Sequence, residues 1–109
     1  MGLVTSSSAT NNHYLYFSKE ELTKILDLYS KGVSRGQWRD YAIDFSKNNA
    51  FFYIFKHSNS QPHCVLNKYI EKKRKKIFYI LLSNNLSKKF ENIDKLIIDL
   101  KRKTFRVIN

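Results

Sequence analysis

Cysteine, proline, tryptophan and glycine are all scarce in this 109-residue chain, with one copy each of the first three and three of the last. A lone cysteine, Cys64, excludes an intramolecular disulfide, so a reducing setting is expected. One proline and three glycines exclude fibrous and linker-type compositions, and Gly2, Gly32 and Gly36 are too dispersed to build a phosphate-cradling loop. No apolar run reaches the roughly 18 residues that a membrane-spanning helix requires. The opening MGLVTSSSATNN has neither the basic start nor the apolar centre of a secretory signal, which makes a cytoplasmic location the default expectation. Gly2 and Ser6 do fit the short N-myristoylation pattern, although one acyl chain anchors only marginally.

Acidic residues are scarce as well: nine against twenty basic ones, a formal net charge of +11. Such an excess points to an acidic partner, but it has a competing origin. Lys, Asn, Ile, Tyr and Phe, the residues of A/T-rich codons, fill 50 of the 109 positions, and fifteen of the twenty basic residues are Lys. Selection for phosphate or carboxylate recognition favours the forked guanidinium of Arg, so coding bias accounts for part of the charge.

The chain has enough apolar residues, 42% with 15% aromatic, to fold as one domain. Residues 1–12 are small and polar and are expected to form a disordered tail ahead of a single domain over residues 13–109. Ser18 and Glu21 form an S-x-x-E capping box, and Phe17 is placed to staple onto Leu22. Leu22, Ile25, Leu26, Tyr29 and Val33 continue one stripe of a 3.6-residue period, which predicts a helix over residues 19–34. Beyond Trp38 the period drops to two: Tyr41, Ile43 and Phe45 alternate with Asp40, Ala42 and Asp44, giving a strand with one apolar and one acidic face. Residues 47–49 turn the chain into an aromatic second strand over 50–55. A polar loop leads to a third strand over 63–70, residues 71–75 turn again, and 76–82 form a fourth, the most apolar. Residues 83–90 read as a loop broken by Asn84 and Asn85. Asn92 caps a second helix striped by Ile93, Leu96, Ile97 and Leu100, and residues 104–108 add a short edge strand.

The expected architecture is therefore α+β: helix, four-stranded antiparallel meander, helix, with both helices on one face of the sheet. The second and fourth strands are apolar on both faces, and the helices cover only one. A partner subunit in a homodimer, a stacked ligand such as a nucleobase, or residues 13–17 should cover the other.

The run WRDYAIDF at residues 38–45, preceded by the helix ELTKILDLYSKGV and followed by AFFYIFK, resembles a small alphaproteobacterial family known only as a domain of unknown function. The likeness extends from about Tyr16 to Asn109 and is strongest over residues 17–56. It implies a bacterial, cytoplasmic protein, and it transfers no site, since the family carries no assigned activity, ligand or catalytic residue.

No constellation of catalytic residues stands out. His63 and Cys64 are adjacent, so on a strand they point to opposite faces and do not form a nucleophile–base pair. His13, His57, His63 and Cys64 lack metal-ligand spacing, and no cofactor is expected. Asp40 and Asp44 share a strand face but lie about 13 Å apart, too far for paired carboxylate catalysis. An enzyme is not expected. Two binding surfaces remain. Lys68, Lys72, Lys73, Arg74, Lys75 and Lys76, with Lys101, Arg102 and Lys103, could track an RNA or single-stranded DNA backbone in a weak, salt-dependent manner. Alternatively Asp40, Asp44 and Trp38 mark a protein-interaction or assembly surface, the reading preferred from sequence.

Overall fold

A computed structural model describes residues 14–57 and 61–105. The expected disordered tail, His13 and most of the 104–108 strand fall outside the described residues, and Thr104 and Phe105 end and cap the last helix instead. The chain runs α1 (Lys19–Ser34), β1 (Asp40–Phe45), β2 (Asn49–Phe55), β3 (Cys64–Glu71), β4 (Lys76–Ser83), β5 (Leu86–Phe90) and α2 (Ile93–Thr104). All five strands are antiparallel and lie in sequence order, β1-β2-β3-β4-β5.

The fifth strand replaces the loop expected over residues 83–90. Asn84 and Asn85 both adopt positive φ, 54° and 61°, the two-residue hairpin geometry whose twist matches that of paired strands. LSKKF then pairs with β4 from Ser83↔Leu86 to Tyr79↔Phe90. This edge strand carries no apolar run because it has little to bury.

Capping settles where the helices begin. In α1, Ser18 Oγ accepts from the Glu21 N–H at 3.0 Å and Glu21 Oε1 accepts from the Ser18 N–H at 2.8 Å. In α2, Asn92 Oδ1 accepts from the Lys95 N–H at 2.9 Å. The helices lie side by side and point the same way: Lys24 pairs with Asp94 at one end, while Lys31 and Arg35 approach the Phe105 ring at the other.

Both helices pack on one sheet face. Ile25 and Leu28 of α1 and Ile93, Leu96 and Leu100 of α2 meet Ala50, Phe52, Ile54, Cys64, Leu66, Tyr79 and Leu81 in a single core. The α1 stripe is rotated from the expected one: Leu28 and Gly32 are buried, whereas Val33 is exposed. Gly32 faces inward because the Trp38 indole, 3% exposed, occupies the space beside it. Trp38 also packs near Tyr29 and Phe105.

Residues 14–17 join the helix side as well. The Leu15 N–H donates to the Ser46 carbonyl, the Tyr16 ring packs on Phe45 at 4.7 Å, and Phe17 is buried. They do not cover the opposite face, one of the roles the sequence left open for them.

Candidate interaction surface

The face of the sheet turned away from the helices is built by strand alternation. Ala50, Phe52 and Ile54 of β2 point inward, so Phe51, Tyr53 and Phe55 point outward, each of the three only partly buried. The same parity turns Val65, Asn67 and Tyr69 of β3 outward, with Phe78, Ile80 and Leu82 of β4. The rings associate pairwise along this face, Phe51 with Tyr53 and Tyr69 with Phe78, each with centroids 5.7 Å apart. No helix among the described residues lies over it.

Charge of opposite sign rims this apolar face. On β1, Asp40 and Asp44 share the outer parity with Ala42. Each carboxylate accepts a hydrogen bond from the next backbone N–H, at 2.8 and 2.9 Å, and neither makes an ion pair among the described residues. On β5, Lys89 projects from the same face with its Nζ 3.9 Å from the centre of the Phe78 ring, and Lys76 approaches that ring from β4. Arg74, in the turn, pairs with Glu71 at 2.7 Å.

Two expected site residues are corrected. Lys68 does not belong to the basic turn: it lies on the inner parity with Cys64 and Leu66, 6% exposed, and donates to Glu21 Oε1 at 2.7 Å and to the Tyr16 carbonyl at 2.8 Å. Glu21 thus serves twice, as capping-box acceptor and as counter-ion of a buried lysine, and Tyr79 OH donates to its other oxygen. Burial pushes the Glu21 carboxyl up, but bonds from Lys68, Tyr79 and the Ser18 N–H outweigh burial and hold it below the usual range. Burial and the Glu21 bond raise the Tyr79 hydroxyl. Trp38 is likewise no partner residue, since its ring is closed inside the core.

The remaining basic residues divide into two groups. Lys72, Lys73, Arg74 and Lys75 form the exposed turn between β3 and β4, with Lys76 exposed at the start of β4. Lys101, Arg102 and Lys103 are exposed in the last turn of α2, where they complement the negative end of the helix. α2 begins beside the turn end of the sheet and runs to the other end, about 18 Å for its twelve residues. The two basic groups therefore do not form one surface.

Other chemistry-bearing residues are occupied structurally. Burial pushes the Cys64 thiol up to about 12, against a small opposing effect of Lys103, which suits an inert core residue. Burial and then Lys56 hold His63 below the ordinary imidazole range. No group of three or more His, Cys, Asp and Glu is gathered for a metal among the described residues, and no helix among them is long and apolar enough to cross a membrane. A groove of about 280 Å³ between α1 and α2 is lined by Lys24, Asp94 and Lys101, with the first two already paired.

Sequence proximity alone places Lys68 with the basic loop, as a lysine near other lysines. Its phase with Cys64 and Leu66 carried the contrary signal, although Glu21, 47 residues away, does not announce itself in sequence. The outward apolar face is legible in the two-sided strands, whereas Lys89 lies on β5, which has no apolar pattern to mark it.

No curated protein and no solved structure matches the chain. One family does, and its match over residues 15–89 takes in α1, the first four strands and most of β5, so the chain belongs to the family described as a protein of unknown function (DUF2794).

Proposed function

We propose that this protein is a small, cytoplasmic, non-enzymatic interaction or assembly module that binds through the outer face of its sheet. One observation carries the reading: Phe51, Tyr53, Val65, Ile80 and Leu82 form a contiguous apolar surface across three strands with no element of the described chain above it. Contiguous exposed apolar patches on small proteins mark interaction sites, while singly scattered apolar residues do not. Nothing in the chemistry of Cys64, His63 or the separated carboxylates favours catalysis over this.

Nucleic-acid binding through Lys72, Lys73, Arg74, Lys75 and Lys76 is the second reading and draws less support. Of the two rings that flank that turn, Phe78 is 5% exposed and already has Lys89 over its face, and Tyr69 is partly buried with its ring 5.7 Å from that of Phe78, so neither stands free as a platform for a base.

The size of the complexes formed by the tagged chain in a bacterial extract tests the interaction reading. Wild type should migrate above the monomer, and Val65→Asp and Ile80→Asp, with folding checked by circular dichroism, should migrate as monomers. Wild type at the monomer position, or folded variants still in the larger complex, would overturn it.

A further inference from the structure

Across its strands the sheet carries a pattern that the periodicity along them does not contain. The register joins Asp44 to Phe51, Phe51 to Asn67, Asn67 to Ile80 and Ile80 to Lys89, one continuous row from the β1 edge to the β5 edge. The next row on the same face is Ala42, Tyr53, Val65, Leu82 and Ser87. Both rows are centred on β3 and are complementary under reversal. An acid at one end matches a lysine at the other, an aromatic ring on β2 matches an aliphatic side chain on β4, and Asn67 and Val65 match themselves.

Four strand spacings separate the Asp44 and Lys89 backbones, about 19 Å, so the two cannot pair within one chain. We infer that the occupant of this face is a second copy of the chain, packed sheet on sheet about a two-fold axis that runs along β3. This rests on the interaction reading above. Rotation by 180° about that axis exchanges β1 with β5 and β2 with β4. Asp44 then meets the partner's Lys89 and Lys89 meets the partner's Asp44, Phe51 lies on the partner's Ile80, and Tyr53 lies on the partner's Leu82. A two-fold axis across the strands would instead set β1 on β1 and β5 on β5, opposing Asp44 with Asp44 and Lys89 with Lys89. Like charges so placed are unfavourable, so the charge distribution selects the axis along the strands. Glu71, close to that axis, is already paired with Arg74.

The size of the face sets the strength. Five strands at about 4.8 Å and roughly six residues at about 3.3 Å give a projection of about 24 by 20 Å, hence ~1,000 Å² over two copies. That is the lower limit for specific association and corresponds to a reversible dimer whose population depends on protein concentration. Aligned sheet packing at about 30° keeps the central rows in register.

Charge exchange on the purified full chain, followed by sedimentation velocity from about 5 to 500 micromolar, tests the arrangement. Wild type should pass from monomer to dimer within that range. Asp44→Lys and Lys89→Asp should each weaken association at least tenfold, because every homodimer would hold two like-charge contacts. An equimolar mixture of the two variants should restore the dimer, since both contacts in the heterodimer are again between opposite charges. Neither substitution touches the core, and restoration in the mixture also shows that both variants are folded. Wild type monomeric at 500 micromolar, or single variants as dimeric as wild type, or a mixture that stays monomeric, would overturn the inference. If purified wild type is monomeric while Val65→Asp still abolishes the complex in extract, the second copy is wrong and the interaction reading stands. If the extract complex is also absent, both fall.

Discussion

The Trp38 indole stands where a side chain on residue 32 would be: a Cβ built on Gly32 comes within 2.1 Å of Trp38 Cε3 and 2.6 Å of Cδ2. Glycine in a helix interior ordinarily costs about 0.5–1 kcal/mol relative to alanine. Here the balance reverses, because the absent side chain lets the ring close the corner between α1 and β1. Gly32→Ala should destabilise by about 1–3 kcal/mol, as overpacking does, and lower the urea midpoint with little change in slope. A stabilised variant would show that the ring moves aside freely. Trp38→Ala should cost about 3–5 kcal/mol, and the wild-type emission maximum should be that of a buried indole.

Glu21 couples the helix cap to the buried Lys68. Glu21→Gln leaves that ammonium without its counter-ion and should cost about 3–5 kcal/mol, well above the roughly 1 kcal/mol expected when Ser18→Ala removes the cap alone. Because the folded protein holds the Glu21 carboxyl below its ordinary value, its contribution is complete above about pH 4.3, the unfolded pKa, and is lost as pH falls through the lower folded value. Denaturant midpoints measured from pH 7 down to pH 3 should fall less steeply for Glu21→Gln than for wild type.

Cys64 is 1% exposed and its thiol is shifted far above neutrality. At pH 8 a thiol-specific reagent should label the native chain only through opening, and orders of magnitude more slowly than the urea-unfolded chain. Prompt stoichiometric labelling of native protein would contradict the burial.

Replacing Lys72, Lys73, Arg74 and Lys75 together with Gln tests the basic turn. Under the interaction reading the melting temperature should hardly move, because the four side chains are exposed in a turn. Titration with mixed RNA and single-stranded DNA at two salt concentrations checks the second reading: binding whose salt slope flattens by about 0.7 for each lost contact would favour it.

Local signals in the sequence were sufficient for local structure. Ser18, Glu21 and Asn92 set the helix starts through bonds that span three residues, and such bonds are readable from spacing. The 50–55, 63–70 and 76–82 strands announced themselves through apolar character on one or both faces. β5 did not, since its residues are exposed except for Phe90 and its existence rests on the Asn84–Asn85 turn, which reads equally as a loop. Asn85→Val should therefore cost about 1–2 kcal/mol, because a β-branched residue resists positive φ. The pairing of Lys68 with Glu21 and the Asp44–Lys89 row lie beyond reach for another reason. Both depend on residues 45 or more positions apart, brought together or aligned only by the complete register.

Each strand is bonded to its neighbour in sequence, so the sheet consists of successive hairpins that close short stretches of chain. The distant contacts belong to the helices: Tyr79 reaches Glu21 across 58 residues and Lys24 reaches Asp94 across 70. Closing such long spans is entropically costly until the hairpins have shortened the path, which places formation of β2 to β4 early in folding and docking of α1 late. Time therefore divides the molecule differently from space. Substitutions at the anchor of α1 should act mainly by accelerating unfolding, whereas those in the central hairpin should slow folding itself.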